Sequence, residues 1–111
     1  MSNASDAMTE RVRMALGPRP DIEEKKMFGG VGFMLDGNMM AGVSAKGALM
    51  VRVDPDQIET VLAQPGARQM LMGKRVMKGF ITVDEEAITE ATELVAWLND
   101  AERFVRTLPA K

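Results

Sequence analysis

Val31-Gly32-Phe33-Met34-Leu35-Asp36-Gly37-Asn38-Met39-Met40-Ala41-Gly42-Val43 is the stretch whose reading decides the fold. Val31, Phe33 and Leu35 alternate with Gly32 and Met34, the period of two that marks a strand with one buried face. Asp36-Gly37 follows at once. A two-residue type I′ turn needs two positive φ angles, which this pair tolerates. On the return strand Met39, Ala41 and Val43 share one face, with Met40, Gly42 and Ser44 on the other. Lys46-Gly47 makes a second turn, and Leu49, Val51 and Val53 alternate with Met50 and Arg52 in a third strand. Three short strands joined by tight turns make an antiparallel meander.

Toward the N-terminus, 22–28 reads as a preceding strand, and Gly29-Gly30 permits the reversal into the meander. Met8, Val12, Ala15 and Leu16 fall on one side of a helix that Ser5 or Asp6 can cap and Gly17-Pro18 ends. Residues 1–7 are small and polar and are expected to be disordered, with Ser2-Asn3-Ala4 resembling a tag remnant. Residues 8–111 are expected to form the domain. Toward the C-terminus, Asp54-Pro55-Asp56-Gln57 is a helix start with Asp as N-cap and Pro at the first helical position. Ile58, Val61 and Leu62 make a short apolar stripe, and Gln64-Pro65-Gly66 stops it. Met70 to Met72 is a short strand, Gly73 to Arg75 a basic turn, and Met77, Gly79, Ile81 and Val83 mark a last strand against Lys78, Phe80 and Thr82. Asp84-Glu85-Glu86 places acids where a helix dipole favours them. The stripe from Ile88 to Leu108 then predicts one helix more than roughly 30 Å long. The fold class expected is α+β: an N-terminal helix, an antiparallel β-meander sheet, a short middle helix, further strands, and a long C-terminal helix packed on the sheet.

Composition bounds the chemistry. At 111 residues the chain supports one core but not two. Its 14 basic and 16 acidic residues give a net charge of -2, with no overall attraction to nucleic acid or to an anionic membrane. No apolar run approaches the ~20 residues that span a bilayer, and no signal peptide is visible, so a cytoplasmic location is expected. The chain has no His, Cys or Tyr. Ser-His and Cys-His nucleophilic sites are therefore excluded within it, and zinc loses its favoured ligands. No Walker or dinucleotide-binding glycine motif occurs. No catalytic residue, metal site or cofactor is expected.

Two sets of residues remain. The first is the methionines, eleven in all, many of them in strands. They read as core filling, or as an adaptable partner-binding or dimer face. The second is basic: Lys25, Lys26, Lys46, Arg52, Lys74, Arg75 and Lys78. Of these, Lys25, Lys26, Arg52, Arg75 and Lys78 are the candidate partner-binding residues. They either blunt strand edges against aggregation or form a positive patch for an acidic protein partner or for phosphates. Phe28, Phe33 and Phe80 read as core, which leaves few aromatic platforms for single strands. Asp84, Glu85, Glu86 and Glu90 read as helix-start acids.

The pieces Lys25-Lys26-Met27-Phe28-Gly29-Gly30, Gly32-Phe33-Met34, Gly37-Asn38-Met39 and Leu49-Met50-Val51-Arg52-Val53 occur in order. Gln64-Pro65-Gly66-Ala67-Arg68, Arg75-Val76-Met77-Lys78-Gly79-Phe80 and the closing 97–109 follow. In this series the chain resembles the N-terminal domain of the TfoX/Sxy family, bacterial regulators of natural competence. Val76 departs from the family, which often has proline after the basic residue. The resemblance implies the α+β fold already read from the pattern. It also implies a non-enzymatic regulator acting with the cyclic-AMP receptor protein, a transcriptional regulator, at competence promoters. Full-length regulators of that family carry a second, helical C-terminal domain that these residues do not include. The function expected is a protein-interaction domain that also self-associates as a homodimer through apolar surface on the sheet or long helix. Nucleic-acid binding through a basic sheet edge is the alternative, a small-molecule binder or enzyme with a concave pocket is the third reading, and no membrane partner is expected.

Overall fold

The computed structural model describes residues 3–27, 29–72 and 74–110, and the side chains of all these except 3, 4, 72 and 76–78. The chain runs α1 (Asn3–Leu16), β1 (Ile22–Met27), β2 (Gly30–Leu35), β3 (Asn38–Val43) and β4 (Leu49–Arg52). A 3-10 turn at Pro55–Gln57 leads into α2 (Ile58–Leu62), then β5 (Ala67–Met72), β6 (Arg75–Val83), a second 3-10 turn at Glu85–Ile88, and α3 (Ala91–Val105). The place of Phe28 at the end of β1, and the side chains of Met77 and Lys78, lie outside the described residues.

The six strands form one antiparallel sheet in the order β1-β2-β3-β4-β6-β5. The meander is present as read from the sequence. Asp36 and Gly37 both take positive φ, 53° and 82°, as a type I′ turn demands. Asp54 caps the Pro55 turn by accepting a hydrogen bond from the Asp56 N–H at 2.9 Å.

One face of the sheet carries the core. Phe33, Leu35, Ala41, Val43, Leu49, Val51, Ile81 and Val83 are all buried there. They form one cluster with Met8 and Val12 of α1, with Leu94, Trp97, Leu98, Ala101 and Val105 of α3, and with the partly buried Ile58, Val61 and Leu62 of α2. All three helices therefore pack on the same side.

The pairing corrects the sequence reading inside β3. Phe33 stands opposite Ala41, but Met34 stands opposite Met39, so Met40 is one residue too many and bulges. A bulge resets the alternation. Met40 is fully buried with the core, whereas Met39 turns to the other face, the reverse of their expected partners.

The last helix is also corrected. The acids Glu85 and Glu86 open a single 3-10 turn, not the helix. Glu90 then caps α3, its backbone N–H donating to the Glu93 carboxylate at 3.0 Å in a capping box. The 15 residues of α3 span about 22 Å, not 30. At the other end, α1 already begins at Asn3 and so takes in residues left outside the domain in the sequence reading. Ser5, Met8, Thr9 and Val12, spaced i, i+3, i+4, i+7, are all buried, and that packing carries the helix past the expected caps.

An ionic clasp ties the α1–β1 connection to α3. Arg19 donates to both oxygens of Glu102 at 2.6 and 3.0 Å and also pairs with Asp21 at 2.7 Å. Arg106 reaches Glu102 at 2.7 Å. Hydrogen bonds from Arg19, then from Arg106, hold the Glu102 carboxyl below the usual glutamate range. A carboxylate whose folded pKa is depressed contributes stability above its unfolded pKa and loses it as pH falls through the folded value. Glu102→Gln should therefore cost about 1–2 kcal/mol near neutral pH. The gap to wild type should close on acidification below about pH 4. Urea midpoints across that range test this, and a gap that stayed constant into acid would refute it.

Candidate functional site

The second face of the sheet has no described element over it. Its residues are the other half of each strand's alternation: Met27, Met34, Met39, Met50, Arg52, Phe80 and Thr82, with Gly32 and Gly42 between them. The side chains of these positions are only partly buried. Methionines lie over the glycines. A Cβ on Gly32 would meet the Met27 methyl at 2.8 Å, and one on Gly42 would meet the Met50 methyl at 3.0 Å and the Met39 methyl closer still. Thioether chains with three soft torsions can repack at little cost, so this surface adapts to what is laid on it.

Arg52 and Phe80 stand opposite each other on β4 and β6. The Arg52 guanidinium carbon lies 5.3 Å from the ring centroid, within cation–π range. Its Nε is buried and has no hydrogen-bond partner among the described residues. Phe80 was expected in the core; alternation puts it here, whereas Phe33 is buried beneath the helices and Phe28 lies outside the described residues.

Two features flank the open face at the end where the Asp36-Gly37 turn lies. On the β4 side, the last ladder pair is Arg52 with Phe80, while β5 and β6 go on pairing with each other through Met72 and Arg75. The β5–β6 hairpin therefore projects beyond the sheet as an arm. Residues 67–83 contain four cations and no carboxylate. Lys74 and Arg75 are exposed at the tip, and Leu71 keeps 59% of its surface in solvent. On the β1 side, a hollow of about 310 Å³ is lined by Asp21, Glu23, Lys25, Met34 and Asp36. Glu23 shares its charge with Lys25 at 3.7 Å, and Asp21 is bound to Arg19.

The candidate basic residues do not form one patch. Lys25 lies on the open face of β1, and Lys26, one residue on, turns toward the helices and lines a separate cleft with Ser5, Asp6, Glu10 and Arg13. Arg52 lies on β4, three strands over from Lys25 on β1, and Arg75 is at the arm tip beyond it. The backbone of Lys78 lies in β6, and its side chain is outside the described residues. Arg52 and Arg75 thus share one side, Lys25 the far edge, Lys26 the opposite face.

Asp36 and Glu23 were missed as surface determinants, Asp36 because its turn chemistry already explained it. The available signal was strand parity: both belong to the same face and end as Met34. The cleft beside Lys26 holds about 820 Å³, but its Arg13 is committed to Glu24 at 2.8 Å and to Glu10 at 3.1 Å. Asp84 of the acidic run accepts from Arg68 at 2.7 Å. Among the described residues no group of three acidic side chains converges as a metal ligand set, and no helix is long and apolar enough to cross a membrane.

A family model described as the TfoX N-terminal domain matches residues 14–105. No curated protein and no solved structure matches the chain.

Proposed function

This chain belongs to the TfoX N-terminal domain family, and from that premise we propose that it is a non-catalytic regulatory domain that works by protein–protein contact in competence control. The observation that carries this reading is the open sheet face. It is broad, methionine-rich and framed by unlike charges, whereas enzyme sites are concave with a few convergent polar groups. Arg52 and Arg75 are the candidate residues best placed to contact a partner on that face. Lys25 borders it, Lys78 belongs to the same hairpin as Arg75, and Lys26 serves the helix side.

The test is a competence-promoter reporter in a naturally transformable bacterium lacking its own regulator of this type. Expression of this chain should raise the reporter several-fold, in dependence on the cyclic-AMP receptor protein. The pair Arg52→Glu and Arg75→Glu should abolish the rise at unchanged protein level. Soluble, folded protein with no reporter response would overturn the reading.

One observation favours a second reading: the carboxylate-free basic arm. A two-stranded ribbon fits the major groove, and its cations would neutralise phosphates. Binding to duplex DNA would then weaken steeply with salt, and absence of binding at low salt would remove this reading.

A further inference from the structure

We propose that the open sheet face is covered by a second copy of this chain, stacked face to face about a two-fold axis that runs parallel to the strands. This deepens the protein-contact reading by naming the partner of that face. An axis along the strands keeps each end of the sheet over the same end and reverses the strand order, so that β1 faces β5, β2 faces β6 and β3 faces β4. Isologous contacts of this kind must be self-complementary.

This face is. The Asp36 turn, between β2 and β3, comes over the β4–β6 pair of the other copy, where Arg52 stacks on Phe80 with its guanidinium unmatched by any carboxylate among the described residues. The contact occurs twice. At the same end, the hollow containing Glu23 and Asp36 comes under the basic arm, so that the exposed Lys74 and Arg75 meet the acids. Between these, Met39 of β3 faces Met50 of β4, and the flexible thioethers fill the roughly 10 Å separation of stacked sheets. The alternative axis, across the strands, would lay each end of one sheet over the opposite end of the other, so that the Asp36 turn and the acidic hollow would lie at the far end from the other copy's Arg52 and arm.

The area is adequate. Six strands at about 4.8 Å spacing and about 20 Å length give roughly 600 Å² in plan. Side-chain relief and the two arms bring this toward the roughly 800 Å² per partner of a standard interface.

Sedimentation equilibrium on the full chain should report twice the 12.1 kDa chain mass. Asp36→Lys and Arg52→Glu should each weaken the dimer at least tenfold, because each removes both symmetry-related pairs. An equimolar mixture of the two variants should recover a heterodimer, since both contacts then join opposite charges again. Asp36→Asn, which keeps the turn preference, should weaken the dimer less. Circular dichroism melts confirm that each variant is folded. A wild-type monomer at roughly millimolar concentration, a dimer indifferent to both substitutions, or a mixture that stays monomeric would each overturn the proposal. The two readings fail separately: a monomer that still drives the reporter sinks only the dimer, and a dimer with no reporter response sinks only the regulatory role.

Discussion

Gly30→Ala should be among the most damaging single changes in this chain, lowering stability by about 3 kcal/mol or more. Gly30 opens β2 and is buried. A Cβ there would overlap the carbonyl oxygen of Val43, with the carbonyl carbons of Val43 and Ser44 at 3.0 and 3.1 Å. Those atoms are backbone and cannot swing aside as a side chain would. Relief requires β2 to part from β3, which are paired from Val31–Val43 to Leu35–Asn38. Gly29 beside it differs in kind: it holds φ at 78°, and a Cβ would meet only the Ala45 methyl at 3.1 Å. Gly29→Ala should therefore cost about 1 kcal/mol through backbone strain. Guanidinium melts of the two variants compare them directly, and Gly30→Ala equal to or milder than Gly29→Ala would contradict the close approach of β2 and β3.

The second large effect is Phe33→Ala, expected to cost about 3–5 kcal/mol through lost burial and the cavity left behind. Phe33 is 1% exposed, near the middle of β2 on the helix-covered face. Its neighbour Met34 points the other way, onto the open face, and Met34→Ala should cost the monomer less than about 1 kcal/mol. For a domain of this size, Phe33→Ala should lower the Tm by well over 10 °C, at about 4–8 °C per kcal/mol. Comparable losses for the two adjacent positions would mean that the second face is covered within the monomer. Because Met34 lies under the proposed second copy, the comparison is best made at low protein concentration.

Much of the fold was legible in the chain. Strand alternation from Val31 to Val53, the Asp36-Gly37 turn and the Asp54-Pro55 start are local signals, set by residues within a few positions of one another. They describe the sheet's meander and the α+β order correctly. The site was less legible. Parity assigned Met34, Met50 and Arg52 to one face, yet it failed at β3, where the extra residue Met40 exchanged the places of two methionines. A bulge is a property of a strand pair, and nothing in β3 alone announces it. Phe80 was read as core because aromatic residues usually are, although its own alternation with Ile81 already spoke against that. The two lysines of Lys25-Lys26 look like one basic cluster on paper. In the sheet they are divided between opposite faces.

The sequence by itself determined which segments are strands and helices, where the tight turns fall, and which chemistries are absent for want of His and Cys. Those outcomes depend on φ preferences, periodicity and side-chain inventory, all of which act locally. Only the tertiary structure decided that all three helices share one face, that β6 inserts between β4 and β5, and that the β5–β6 arm and the Asp36 hollow flank the same end of the open face. These depend on how apolar area is shared among distant elements. Phe33 and Val12 bury one another's neighbours only once the helices and the sheet have met, and the face left over is set by that choice.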